Sequence, residues 1–255
     1  MESVAKIVVF DSGLGSLSII KPIQKKVISD IIYFADQKNF PYGTKSVPEL
    51  AKIIRTTIKT LDKNFNPDLI VIGSNTPSLL LKKIINNPRI IGVFPPLKDA
   101  KRKTRTMTIA ILATKLVIES NVLQNYIKKN VLKKIKVIKI NASPLVDLVE
   151  SGKFINNRKS CINKIKKILS KLFFENHVDV ATLSSTHLPF LLPLFKEIFP
   201  NITFLDPGNI VTEEIVKKLE HQNKTKSLTI FASGNTQVFQ KKLSRLGIKN
   251  KVRSL

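Results

Sequence analysis

Short apolar runs alternate with longer amphipathic stretches along this chain. The runs Lys6 to Phe10, Ile31 to Phe34, Leu69 to Ile72, Ile91 to Phe94, Thr108 to Ala113, Lys136 to Ile140, Val178 to Leu183, Ile202 to Leu205 and Leu228 to Phe231 read as strands. They are brief, rich in β-branched residues and bounded by polar or turn-forming positions. The stretches between them carry helical periodicity. Glu49 to Leu61 puts Leu50, Ile53, Ile54, Ile58 and Leu61 on one face, and Ile155 to Phe174 repeats Ile162, Ile165, Ile168 and Leu172. Strands that are apolar throughout and separated by helices predict an α/β protein of mainly parallel sheets flanked by helices.

An internal repeat organises the pattern further. PDLIVIGSNT, ending at Thr76, aligns without a gap on VDVATLSSTH, ending at His187, so that Asp68 meets Asp179 and Ser74 meets Ser185. KIVVFDS lies over IAILATK, and IIYFAD over VIKINA, in the same order. Duplication predicts two pseudosymmetric α/β lobes. The first comprises residues 1–97 with 208–255, and the second 98–207, because a further strand and helices after Pro207 return the chain to the first lobe. Residues at the carboxyl ends of matching strands are expected to face one cleft, where open α/β sheets take their ligands.

Composition narrows the class. The chain has 255 residues, 43% of them hydrophobic and 24% charged, enough to bury a core. No apolar run reaches the roughly 18 residues of a membrane span, and the N-terminus turns polar too early for a signal peptide. A cytoplasmic protein without membrane association is expected. One cysteine, Cys161, on the apolar face of a predicted helix, excludes an internal disulfide, and three dispersed histidines give no metal-site spacing. Forty-three Lys and Arg against eighteen Asp and Glu give a net charge of +25. The basic residues at 101–105, 128–139, 158–171 and 241–253 interleave with apolar ones at helix or strand spacing. That is the pattern of solvated faces of folded elements rather than of a separate basic tail. With lysine, asparagine and isoleucine all abundant, compositional drift is the favoured source of the charge, and at most a surface for non-specific nucleic-acid binding is expected.

The polar residues cluster at predicted strand ends: Asp11 and Ser12; Pro41, Tyr42 and Gly43 beyond Asp36; Ser74, Asn75 and Thr76; Ser185, Thr186 and His187. Where strands give way to helices, hydroxyls and main-chain N–H groups can converge on a carboxylate or phosphate. The same residue types also cap helices anywhere in a chain. Four such clusters, two of them related by the repeat, point to a small anionic ligand.

The segments VFDSGLGSLSII, YFADQKNFPYGTKS, IVIGSNTPS, IGVFPP, SPLVDLVESG and LSSTHLPFLLPLF follow one another in an order and near spacings that resemble glutamate racemase, within the aspartate/glutamate racemase superfamily. The resemblance runs from about Val4 to Gly234. It implies an isomerase with two pseudosymmetric lobes and no cofactor or metal, which inverts the α-carbon of an acidic amino acid, glutamate or aspartate, by two-base proton transfer and so interconverts the L-form with D-glutamate or its analogue. A homodimer is compatible with it.

Carried over residue by residue, the resemblance places Asp11, Ser12, Tyr42, Gly43, Asn75, Thr76, Thr186 and His187 among the substrate-binding positions. It gives Asp11 the role of assisting the first base, with Glu150 and His187 flanking the second. The two cysteines that act as bases in the family fall on Ser74 and Ser185. Val117 and Glu119 stand where the family has a threonine and a basic residue, Leu188 replaces an aromatic, and Pro77 a small residue. Two readings follow. One is a racemase with Ser74 and Ser185 in the acid/base positions, assisted by Asp11, Glu150 and His187. The alternative is a non-catalytic binding protein or sensor that holds a dicarboxylic amino acid in the same pocket.

Overall fold

The computed structural model describes residues 5–82, 87–219 and 224–255. They form two compact units, one reaching to Val93 and resuming at Gly208–Leu255, the other Phe94–Pro207. The first unit opens with β1 (Lys6–Asp11), α1 (Ser16–Lys26), β2 (Asp30–Ala35), α2 (Val47–Phe65), β3 (Leu69–Ile72), α3 (Asn75–Leu80) and β4 (Ile90–Gly92). The second contains α4 (Leu97–Lys103), β5 (Thr108–Ala113), α5 (Lys115–Ile118), α6 (Asn121–Asn130), β6 (Lys136–Asn141), α7 (Ser143–Glu150), α8 (Lys153–Asn156), α9 (Arg158–Glu175), β7 (Val180–Ser184), α10 (Leu192–Ile198) and β8 (Thr203–Leu205). The chain then returns to the first unit as α11 (Gly208–Lys218), β9 (Ser227–Ala232), α12 (Thr236–Arg245) and β10 (Val252–Ser254).

Both sheets are parallel. The first runs β10-β9-β2-β1-β3-β4 and the second β6-β5-β7-β8. In each unit the first strand lies between the second and the third, with the fourth outside the third, so the predicted duplication is present as topology. The register corrects one part of it. Ile7 pairs with Leu69, and Ile109 pairs with Val180. With Leu69 matched to Val180, the residue equivalent to Ile7 is Ile109 rather than Ala110, and Asp11 corresponds to Ala113. The KIVVFDS and IAILATK runs are apolar throughout because their strands are covered on both faces, and such runs carry no inside–outside alternation to fix their phase.

Helix α2 shows how the local sequence builds these layers. Ser46 caps it by accepting from the Glu49 N–H at 3.4 Å, Pro48 sits in the first turn, and Leu50, Ala51, Ile54 and Leu61 turn inward. They pack with Val8, Phe10, Ile70 and Ile72 of the sheet. Asn66 ends the helix in the left-handed conformation, with φ at 42°.

In the second unit the helix predicted over Ile155 to Phe174 is two helices. Asn157 interrupts it and caps α9 by accepting from the Ser160 N–H at 3.1 Å. The buried stripe of α9 is Cys161, Ile165, Leu169 and Phe173; Ile162 and Ile168 flank it, and Leu172 is exposed. Apolar residues cover a wide arc of this helix, so spacing alone does not locate its centre. Cys161 is wholly buried in the core against this sheet, and burial pushes its thiol pKa up. The basic runs lie mostly on exposed positions of α4, α6, α9 and α12 and the segments beside them. Among the described residues no helix is long and apolar enough to cross a membrane, and no cluster of His, Cys, Asp and Glu is able to hold a metal ion.

Candidate active site

Parallel strands send their carboxyl ends to one edge of a sheet, and in the first unit that edge gathers three polar turns. Asp11 closes β1 and Ser12 follows it, Tyr42 and Gly43 lie in the segment after β2, and Ser74, Asn75 and Thr76 follow β3. Asp11, Ser12, Tyr42, Ser74, Asn75 and Thr76 are all buried, and Gly43 is half-buried. Polar side chains are costly to bury without partners, so their hydrogen bonds show how the edge is organised. The Ser12 hydroxyl accepts the Tyr42 N–H at 3.3 Å, and the Ser12 carbonyl accepts Gln37 Nε2 at 2.5 Å, which ties the first turn to the second. The Ser12 N–H in turn donates to Asp11 Oδ1 at 2.6 Å.

The third turn is built from Ser78, wholly buried one turn into α3. Its hydroxyl donates to the Ser74 carbonyl at 2.7 Å and accepts the Val93 N–H at 2.9 Å. Asn75 donates from Nδ2 to the Val93 carbonyl at 3.2 Å, whereas its Oδ1 is buried with no hydrogen-bond partner among the described residues. Tyr42 is held as a neutral phenol: burial raises its pKa well above the ordinary value, and the charges of Asp36 and Asp11 raise it further. Its hydroxyl donates to Asp36 Oδ2 at 2.9 Å.

In the second unit the turn after β7 carries Ser185, Thr186 and His187, all buried. His187 Nε2 lies 2.8 Å from Glu150 Oε1, and Glu150, the last residue of α7, is buried as well. With Glu150 ionised, Nε2 is the donor of this bond, which orients the imidazole ring. Behind the turn, the hydroxyls of Thr182 and Ser184 lie 2.9 Å apart in the core of the strand.

The structure thus brings the expected residues into two groups. Asp11, Ser12, Tyr42, Gly43, Ser74, Asn75 and Thr76 belong to one unit; Glu150, Ser185, Thr186 and His187 belong to the other. Helix capping does not account for them. Ser74 and His187 stand at N-cap positions, and neither side chain makes a cap hydrogen bond. Side-chain caps are instead supplied to α2, α6, α9 and α12 by Ser46, Ser120, Asn157 and Asn235, away from these turns.

Sequence reasoning passed over Asp36 and Ser233, which are buried and hydrogen-bonded to each other at 2.9 Å. A signal for both was present: IIYFAD and LTIFAS each end an apolar run on a polar residue, as the chosen clusters do.

No protein-family model matches the chain. A glutamate racemase of Buchnera aphidicola subsp. Schizaphis graminum is 32% identical over 243 residues, covering 91% of this chain and 92% of the relative. The glutamate racemase of Bacillus anthracis superposes with a TM-score of 0.83 over 98% of this chain and 97% of its own, at 24% identity. That of Francisella tularensis subsp. tularensis, solved in complex with D-glutamate, superposes with a TM-score of 0.80, also at 24% identity and covering 98% of this chain and 97% of that one. The two structures share the fold, and the sequence identity extends along about nine-tenths of both chains in the Buchnera comparison; the chain belongs to the glutamate racemase family.

Proposed function

We propose that this protein racemises glutamate or a closely related dicarboxylic amino acid without a cofactor, with Ser74 and Ser185 in the acid/base positions. The observation that carries the catalytic reading is the buried His187–Glu150 pair, two residues beyond Ser185. A buried imidazole oriented by a carboxylate is the arrangement that proton transfer uses, and this favours catalysis over binding alone.

In this reading Ser12, Asn75, Thr76 and Thr186, with the Tyr42–Gly43 turn, take the substrate's carboxylates. The buried Oδ1 of Asn75, without a hydrogen-bond partner among the described residues, suits the α-ammonium group, since it can only accept. Asp11 supports proton transfer at Ser74, and the His187–Glu150 pair supports it at Ser185.

The serines set the cost. A thiol ionises with a pKa near about 8.5, and a hydroxyl resembles water at roughly 15.7. The gap of about 7 units corresponds to about 10 kcal/mol in forming the anion. General bases recover part of it, because a positioned acid/base group contributes about 10²–10⁴-fold. A slow racemase is the expected outcome. The test is incubation with L-glutamate and, separately, D-glutamate in deuterated water, with loss of the α-proton signal followed by NMR. Exchange of both enantiomers supports the reading. Binding of glutamate without exchange of either replaces it with the sensor reading.

A further inference from the structure

The segment that follows β2 and carries Tyr42 and Gly43 is anchored from the far end of the chain. Strand β9 pairs with β2 in a register that sets Ala232 beside Ala35, so the residues that follow, Ser233 and Asp36, emerge side by side. Ser233 donates from its hydroxyl to Asp36 Oδ1 at 2.9 Å and accepts the main-chain N–H of Lys38 at 3.1 Å. The Asp36 carboxyl also accepts the Asn39 amide at 2.9 Å to each oxygen and the Tyr42 hydroxyl at 2.9 Å. Gly234, with φ at +84°, follows Ser233 against Gln37 and Lys38, and Lys242 of α12 lies 5.6 Å from the centre of the Phe40 ring. Five consecutive positions, Asp36 to Phe40, are therefore touched by residues 233–242 or by a side chain that those residues hold.

We propose that Ser233 is a positioning residue for substrate binding, fixing the Tyr42–Gly43 turn through Asp36 and Lys38. The proposal rests on the reading of that turn as part of the glutamate site. Tyr42 is fastened at two points, its N–H on the Ser12 hydroxyl and its own hydroxyl on Asp36. Where Asp36 sits therefore decides how the turn is presented beside Ser12. Removing the Ser233 hydroxyl leaves the Lys38 N–H without its acceptor and Asp36 without one donor, so the segment must shift or take up water. A turn that is no longer held in its binding conformation has to be ordered by the ligand, and that ordering weakens affinity.

The test is titration calorimetry of the full chain with L-glutamate for wild type, Ser233→Ala, Ser233→Thr and Asp36→Asn, with the urea midpoint of each measured alongside. Ser233→Ala is expected to raise the glutamate Kd about tenfold, the size of one hydrogen bond, with little change in midpoint, and Ser233→Thr to restore it. Amide exchange in residues 37–45 should quicken in Ser233→Ala while the second unit is unaffected. Asp36→Asn reads the same loss of affinity should Ser233→Ala fail to fold. Wild-type binding together with a Kd for Ser233→Ala that stays within about twofold overturns the positioning role and leaves the glutamate site standing. Absence of glutamate binding to wild type overturns the site itself, and this proposal with it.

Discussion

His187 Nε2 and Glu150 Oε1 meet at 2.8 Å, both buried, although 37 positions separate them in sequence. The end of α7 and the turn after β7 are brought together by the packing of α7 against the segment Leu188–Leu191. Glu150→Gln keeps the size of this side chain and an acceptor for the histidine but removes the charge that stabilises an imidazolium. Exchange of the glutamate α-proton should then slow, by a factor at or below the lower end of the about 10²–10⁴-fold typical of an acid/base group. On the proposed reading, in which Glu150 serves proton transfer through His187, glutamate affinity should change much less than the exchange rate. NMR in deuterated water and calorimetry on the same sample separate the two effects.

The strands and their parallel arrangement could be read from the chain because each is a short apolar run with polar ends, and the register shows most of them within a residue or two of their expected bounds. Strand β10 was not legible: Val252–Ser254 is three residues long, and only Val252 is buried. The strand-end clusters were legible for the same reason as the strands. The roles of Asp36 and Ser233 were not, because their pairing depends on β9 lying next to β2, a neighbour relation that periodicity does not contain. The phase of β5 against β1 was lost in uniform hydrophobicity, and the centre of the α9 stripe in an excess of isoleucine and leucine.

The repeat predicts a matched pair of buttresses. Asp68 accepts the Lys6 N–H at 2.7 Å at the start of β1, and Asp179 accepts the Arg105 and Thr106 N–H groups at 2.5 and 3.1 Å just ahead of β5. Burial pushes the Asp179 pKa up, but the Thr104 hydroxyl and these two N–H groups more than offset it and hold the carboxyl below the usual range. A lowered folded-state pKa means stabilisation that is complete above the unfolded value of about 3.9 and is lost as the pH falls through the folded one. Asp179→Ala should therefore cost about 1.5–3 kcal/mol at neutral pH. The gap between variant and wild type should narrow as the pH drops below about 3.9. Urea unfolding across that range checks both the size and the sign.

Gly73 is required by the way β3 ends. A Cβ at this position would stand 2.2 Å from the Ser16 hydroxyl and 3.2 Å from the Phe10 carbonyl. The carbonyl is held in place, because it accepts the Gly73 N–H at 2.7 Å. Gly73→Ala should destabilise by about 1–3 kcal/mol, the usual cost of overpacking, and should disturb Ser74 next to it. The Ser16 hydroxyl is buried with no hydrogen-bond partner among the described residues. Ser16→Ala alone should accordingly be neutral or mildly stabilising, since it removes an unsatisfied group. Chemical denaturation of the two single variants tests the assignment, and a large loss in Ser16→Ala would contradict it.

Ser74 and Ser185 stand where the family resemblance places its bases. If the roughly 10 kcal/mol needed to form an alkoxide in place of a thiolate limits turnover, Ser74→Cys combined with Ser185→Cys should raise racemisation by orders of magnitude. On the proposed reading Asp11, Glu150 and His187 would support the new thiols, and sulfur for oxygen changes the shape of a turn little. The fold should tolerate both replacements, because Ser74 makes no cap bond that a thiol would forfeit and Ser185 is not the N-cap residue of the turn after β7, a position that His187 holds. Single replacements should do much less for racemisation, which needs a proton taken from one face of the α-carbon and another delivered to the opposite face. Each single variant should instead speed α-proton exchange for one enantiomer, Ser74→Cys for one and Ser185→Cys for the other, and that opposite preference would assign a face to each serine. Chiral chromatography of the product and NMR exchange on each enantiomer give the two readouts. If wild type already turns over at roughly 1–10³ s⁻¹, the range of ordinary enzymes, and the double variant is no faster, the serines are not the limiting groups. Proton transfer then passes to another pair, with Asp11 and His187 the first to be replaced in turn.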